Sequence, residues 1–217
     1  SNMTFHIITI FPKIFDSYFN ESILKRAQAS GLIKIKVHDL RNWTTDKHKT
    51  TDDTPYGGGA GMIMKIEPIY KALRALSKQT TVNSKQLKTI LLSAKGKKWD
   101  QQLAKEYSQL SDIILICGRY EGVDERVTEF TDEKISIGDY VLTGGELAAM
   151  VIIDAVTRLS PGVLGGKDSA EKDSFSGSVL KYAQYTRPRT FEGADVPEVL
   201  LSGNHKEIEK ARLESSL

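Results

Sequence analysis

The chain has 217 residues, 40% of them hydrophobic and 27% charged, with a net charge of +2. That suits a folded, soluble protein of one sizeable domain, or one domain with a small appendage. No run of about 18 uncharged apolar residues is present, which excludes a membrane-spanning helix; the single Cys117 excludes an internal disulfide and suits the reducing cytoplasm.

Ser1-Asn2 ahead of Met3 is set aside as an appended dipeptide, and no signal peptide is expected, because Lys13 and Asp16 break the early apolar stretch. Phe5 to Ile10, a β-branched run, predicts a buried strand. Pro12 opens a helix that places Ile14, Phe15, Tyr18, Phe19, Ile23 and Ala27 on one face and stops at Gly31. A second strand, Leu32 to Val37, leads into a threonine-rich loop ending in Gly57, Gly58, Gly59 and Gly61. Glu67 to Leu76 reads as a short amphipathic helix. Three apolar runs follow: Thr89 to Leu92, Ile113 to Cys117 and Ile135 to Ile137. A helix near Asp100 to Leu110 separates the first two, and a longer one, Glu146 to Leu159, follows the third. This alternation predicts an α/β fold with a mostly parallel sheet.

The composition changes after Leu159. Residues 160–173 contain Pro161 and three glycines and read as a flexible linker. Residues 174–217 carry two Thr/Pro/Arg-rich turns and a helix near Lys206 to Leu213, too little to bury much core alone. The expected organisation is a main domain over residues 3–159, the linker, and a small, mainly helical C-terminal domain that leans on another surface. Basic clusters occur at Lys95, Lys97 and Lys98, at Arg187 and Arg189, and at Lys206, Lys210 and Arg212. Solvated faces explain most such clusters, and a net charge near zero neither demands nor excludes nucleic acid. The four histidines and Cys117 show no metal-ligand spacing, so no metal site is expected from the protein itself.

The informative feature is where the glycines fall. Each of the three late strands ends in a glycine-bearing turn: Ser93 to Gly96, Gly118 to Gly122, and Gly138 to Gly145. Ligands of an open parallel sheet bind beyond the carboxyl ends of its strands. Glycine there lets main-chain groups come close to a ligand, so three such turns in register predict three walls of one pocket. Thr143 and Glu146 fit a capping box, which predicts that the third turn runs into a helix N-terminus. A Walker loop is absent, since Gly57 to Gly61 continues into Met62-Ile63-Met64. A Rossmann fingerprint is absent too, since Phe11-Pro12-Lys13 follows the first strand.

Several long stretches carry a resemblance. They are ITIFPKIF (Ile8 to Phe15), TTDDTPYGGGAGM (Thr50 to Met62), CGRYEGVDERV (Cys117 to Val127), SIGDYVLTGGE (Ser136 to Glu146) and RPRTFEGADVPEVLLSGNH (Arg187 to His205). In that order they resemble the bacterial tRNA guanine-N1 methyltransferases that act at position 37, the TrmD family of the SPOUT class. The resemblance implies a sheet with a deep trefoil knot, S-adenosylmethionine as methyl donor with magnesium assisting, and tRNA as substrate. It also implies a homodimer whose active site lies at the subunit interface. By matched position, Leu91, Leu92, Ser93 and Ala94 would cover the cofactor, and Gly118 with Glu121 would form its floor. Ile137, Gly138, Asp139, Tyr140, Val141 and Leu142, with Gly144 and Gly145, would wrap the adenine. Arg158 and Asp173 match the catalytic pair, and Gly58, Gly59, Arg119, Tyr120, Arg187 and Arg189 are the positions marked for tRNA.

The chemistry suits those residue types. Guanine N1 carries a proton and is a poor nucleophile until a base such as Asp173 removes it. Negative charge then develops on O6, where a guanidinium such as Arg158 can donate hydrogen bonds. Taken alone, Asp173 reads as a solvated linker carboxylate and Arg158 as a cation complementing a helix C-terminus. Two departures stand out. Ser93-Ala94-Lys95-Gly96-Lys97 replaces a loop in which relatives commonly have proline, glutamine and arginine, and relatives commonly continue beyond position 217. Two other readings remain at this point: a related SPOUT ribose 2′-O-methyltransferase, and a non-catalytic RNA-binding protein of the same fold.

Overall fold

The apolar runs of the first 160 residues become five parallel strands of one sheet, β1 (Met3–Thr9), β2 (Ile33–Asp39), β5 (Leu87–Lys98), β6 (Asp112–Ile116) and β7 (Glu133–Ser136). Their order is β2-β1-β6-β5-β7. The computed structural model describes residues 2–79, 86–164 and 181–216. The chain divides into two compact units, Ser1–Val163 and Leu164–Leu217.

Alternation along the strands puts apolar side chains on both faces, as a covered parallel sheet requires. Phe5, Ile7, Ile113, Leu115 and Ile135 belong to one buried cluster, with Ile152, Ile153 and Val156 of helix α5 (Glu146–Leu159). Ile8, Ile114 and Ile116 belong to the other, with Ile69, Leu73 and Leu76 of α3 (Ile66–Gln79). Helix α4 (Gln101–Tyr107) starts at Asp100, whose carboxylate accepts the Leu103 N–H at 2.9 Å. A two-residue pair, β3 (Asp52–Asp53) with β4 (Ile63–Met64), closes the threonine-rich loop.

The helix expected from Pro12 to Gly31 is three pieces: a 3-10 turn at Pro12–Phe15, α1 (Asp16–Phe19) and α2 (Ser22–Ala29). Phe15, Phe19, Leu24 and Ala27 are buried, but Phe19 and Leu24 are five positions apart, about 140° around a continuous helix. The break at Asn20 to Ser22, with Ser22 at φ 53°, resets the phase so that both pairs face the core. Ile14 and Tyr18, expected inside, lie at the surface.

His6 of β1 is buried. Its Nε2 donates to Asp112 Oδ1 (3.1 Å), and its Nδ1 pairs with His38 Nε2 of β2 (3.3 Å), the rings stacked 5.6 Å apart. Burial lowers the His6 pKa although Asp112 opposes this, and burial lowers that of His38 to about 4, with His6 and Lys36 adding to the effect.

The second unit holds a short hairpin, β8 (Thr190–Phe191) with β9 (Ala194–Asp195), and helix α6 (His205–Glu214). Asn204 caps α6 by accepting the Glu207 N–H at 3.4 Å, and no α6 side chain is buried.

Candidate active site

Strands β6, β5 and β7 lie side by side, so the turns leaving their carboxyl ends meet at one edge of the sheet. The first of these turns interrupts β5 rather than ending it. Leu92 and Lys97 both align with Ile135 of β7, so residues 93–96 leave the strand and the chain then resumes the same pairing. Gly96 sits where the strand resumes: a Cβ there would lie 2.6 Å from the main chain of Lys134 and Ile135.

The three loops wall a cavity of about 370 Å³, within the range of small-molecule sites. Leu91, Leu92, Ser93 and Ala94 line it from the first loop, and Gly118 and Glu121 from the second. The third contributes Ile137, Gly138, Tyr140, Val141, Leu142, Gly144 and Gly145. Of the residues expected around a cofactor, Asp139 alone is not in the lining; its exposed carboxylate pairs with Lys98. Val123, Glu125, Lys134 and Ala148 also line the cavity and were not anticipated. Tertiary pairing brings them there, as when Val123 bridges to Met64, and no local pattern marks them.

The lining fits an adenosyl group. Leu92, Ile137 and Leu142 supply apolar surface, and the main-chain N–H groups of Tyr140, Val141 and Leu142 have no hydrogen-bond partner among the described residues. Such donors are there for a ligand or solvent to meet.

Against this cavity lies a buried ion pair. Arg119, from the loop after β6, donates through Nε to both carboxylate oxygens of Glu146, at 3.1 and 3.3 Å. Glu146 is 1% exposed and also accepts from the Thr9 hydroxyl at 2.9 Å. The Thr9 hydroxyl in turn accepts the Phe11 N–H at 3.0 Å, and the Arg119 guanidinium sits 4.7 Å over the Phe11 ring. The capping box expected of Thr143 and Glu146 does not form. Gly145 is the N-cap of α5 without a side-chain bond, because the Glu146 carboxylate is drawn inward to Thr9 and Arg119. Beside it, buried Cys117 has its thiol pKa pushed well up, first by burial and then by Glu146, with Arg119 opposing. It is a packed apolar group rather than a nucleophile.

A family model described as tRNA (Guanine-1)-methyltransferase TrmD matches residues 3–217. The chain belongs to this family. It is 56% identical over 216 residues to a tRNA (guanine-N(1)-)-methyltransferase of Carboxydothermus hydrogenoformans, covering 99% of this chain and 83% of that protein. The like-named protein of Dictyoglomus turgidum is 56% identical over 211 residues, with 97% and 84% covered. That of Clostridioides difficile is 52% identical over 217 residues, with 99% and 93% covered.

The other positions that the TrmD resemblance marks are spread over both units. Arg158 lies in the last turn of α5, and Asp173 falls outside the described residues. Gly58 and Gly59 sit in the loop between β3 and β4. That loop is joined to the one after β6 where the Glu121 N–H donates to the Met62 carbonyl (3.0 Å). Tyr120, at φ 59°, is half exposed on the latter loop. Arg187 and Arg189 belong to the second unit, where Arg189 pairs with Glu198 at 3.5 Å. Among the described residues, no group of three or more His, Cys, Asp or Glu could hold a metal ion.

Proposed function

We propose that this TrmD-family chain transfers the methyl group of S-adenosylmethionine to N1 of guanine at position 37 of tRNA, beside the anticodon. The observation that carries the reading is the cavity itself, walled by glycine-bearing loops at three adjacent strand ends in a chain that matches the family from end to end. The relatives bear this base and atom in their names. When bound, S-adenosylmethionine supplies an electrophilic methyl group on a positively charged sulfur.

The chain's own part is alignment and proton handling. Apolar walls and the main-chain N–H groups of residues 140–142 hold the adenosine, with Gly118 and Glu121 beneath. Asp173 takes the N1 proton, and Arg158 donates to O6 as negative charge grows there. Gly58, Gly59, Tyr120, Arg187 and Arg189 meet the tRNA, the last two from a small tRNA-binding domain that follows the 160–173 linker. Arg119 meets the tRNA as well, from the cavity lining, with its Nε held by Glu146.

The proposal extends to a homodimer that completes the active site. Leu147 and Val151, one turn apart on α5 and 56% and 43% exposed, give it an apolar outer stripe that supports this. It extends to the trefoil knot of the SPOUT class, supported by a chain that passes from one side of β5 to the other between β6 and β7. Magnesium enters as an assistant to the reaction, and the cytoplasm is its setting. No helix among the described residues is long and apolar enough to cross a membrane.

Single-turnover methyl transfer to a tRNA transcript with guanosine at 37, beside one with adenosine there, tests the reading. N1 methylation of the first and none of the second is expected. Asp173→Asn should slow transfer about a hundredfold or more, since an amide keeps the shape but cannot take the proton. Ribose methylation would overturn the activity, and an undiminished Asp173→Asn rate would overturn the assignment of the base.

A further inference from the structure

We infer that Glu146 is a positioning residue that keeps the cavity receptive to a cationic cofactor, by neutralising Arg119 within a buried ion pair. The inference rests on the reading of this cavity as the S-adenosylmethionine site. A guanidinium cannot shed its proton in a protein, so an Arg119 lining the cavity brings a fixed positive charge there. The cofactor brings another, on its sulfur. Two unit charges of like sign sharing a partly water-excluded cavity repel appreciably.

The structure answers that repulsion from behind. Glu146 is not in the cavity lining, yet its carboxylate grips the Nε edge of Arg119 and is itself held by the Thr9 hydroxyl. Both side chains are withdrawn from water, at 19% and 2% exposure, so the pair is weakly screened. Lys134, a second cation of the lining, pairs at 3.3 Å with the exposed Glu125, and Lys95 is itself exposed, so water screens both of these charges as it cannot screen Arg119. Glu121 adds a carboxylate to the lining.

Gly144 takes on a specific meaning in this arrangement. A Cβ there would lie 2.3 Å from Arg119 Nε and 2.6 Å from Glu146 Oε2. The missing side chain leaves the space through which the ion pair passes. Glycine at 144 therefore serves the pair, whatever its main chain also does for a ligand.

The demethylated product, S-adenosylhomocysteine, has nearly the same shape and lacks the sulfonium charge, which makes the two molecules a matched test. Calorimetry would give both dissociation constants for the wild-type chain, for Glu146→Gln, and for Glu146→Gln combined with Arg119→Gln. In Glu146→Gln the unpaired guanidinium should weaken S-adenosylmethionine about tenfold more than S-adenosylhomocysteine. The double variant, neutral again, should return the ratio of the two constants to within about twofold of wild type. Equal losses of both ligands in Glu146→Gln, up to loss of all binding, would mark a merely structural role and overturn the inference. So would a double variant that keeps the skewed ratio. Wild-type protein that binds neither ligand would instead overturn the reading of the cavity on which the inference stands.

Discussion

A β-carbon has nowhere to go at residues 96 and 145, whereas at residues 57–59 it would meet open space. At Gly145 it would stand 2.9 Å from Cys117 Cα and 3.2 Å from Gly118 N, and at Gly96 2.6 Å from the main chain of β7. Gly145 itself has an ordinary φ of −82°, open to any residue. Gly57 is the reverse case, with φ +83° and no atom within 4 Å of the Cβ position. One region uses glycine for its missing volume and the other for its backbone freedom. The missing volume at Gly145 is what lets the third loop close against the second. The two uses call for different substitutes, and that makes the distinction measurable.

The largest effect is expected at Gly96. Gly96→Ala forces a methyl group into the β5–β7 pairing and should cost about 3 kcal/mol, at the upper end of overpacking penalties. Urea denaturation would read the loss, and S-adenosylmethionine binding should fail with it. Gly96→Asn should be worse still. A loss below about 1 kcal/mol would break the distinction.

An intermediate effect comes from pH and sharpens the comparison by supplying a background common to all variants. His6 and His38 are favoured neutral in the fold, so their folded-state pKa values lie below the ordinary value of 6.5. Above that value neither state binds the extra proton and stability is unaffected. As pH falls below it, the unfolded chain takes up protons that the folded chain refuses, and stability drops toward the folded values, about 4 for His38. Between pH 7 and pH 5 the loss should be about 2 kcal/mol, with partial exposure of His38 keeping it below the full shift. These rings are on β1 and β2, away from β7, so glycine variants near β7 should lose the same increment as wild type. Denaturation curves at the two pH values would show unequal increments if the histidines were coupled to the cavity.

The smallest effect belongs to Gly57. Gly57→Ala should cost about 1 kcal/mol for holding a side chain in the left-handed region. Gly57→Asn should recover part of that, the opposite order from Gly96, and cofactor affinity should stay within about twofold in both. Equal costs for alanine and asparagine would remove the backbone explanation.

What could be read from the sequence follows the same divide between local and distant causes. Strand runs such as Ile113 to Cys117, the α5 span and the α/β alternation are written in neighbouring residues, and the described fold agrees with them. The gathering of three glycine turns was also legible, because parallel strands place their carboxyl ends together. The fate of Glu146 was not. Its spacing from Thr143 fits a capping box, but its partner Thr9 lies 137 residues away, and buried hydrogen bonds outweigh the local pattern. The continuous helix after Pro12 failed for a related reason, since only the position of the core shows that Phe19 and Leu24 need different helical phases. The resumption of β5 after residue 96 depends on β7, which lies more than thirty residues further along the chain.

That resumption gives the first loop the character of a replaceable cartridge. Its base is fastened on both sides to the same residue of β7, Leu92 before it and Lys97 after it. The sheet therefore holds its shape whichever side chains residues 93–95 carry. Exchanging Ser93, Ala94 or Lys95 should leave the main-chain pairing at the base of the loop in place. An inhibitor that reaches for these side chains would discriminate against any family member that differs there, while one that binds only the main chain of the loop would not.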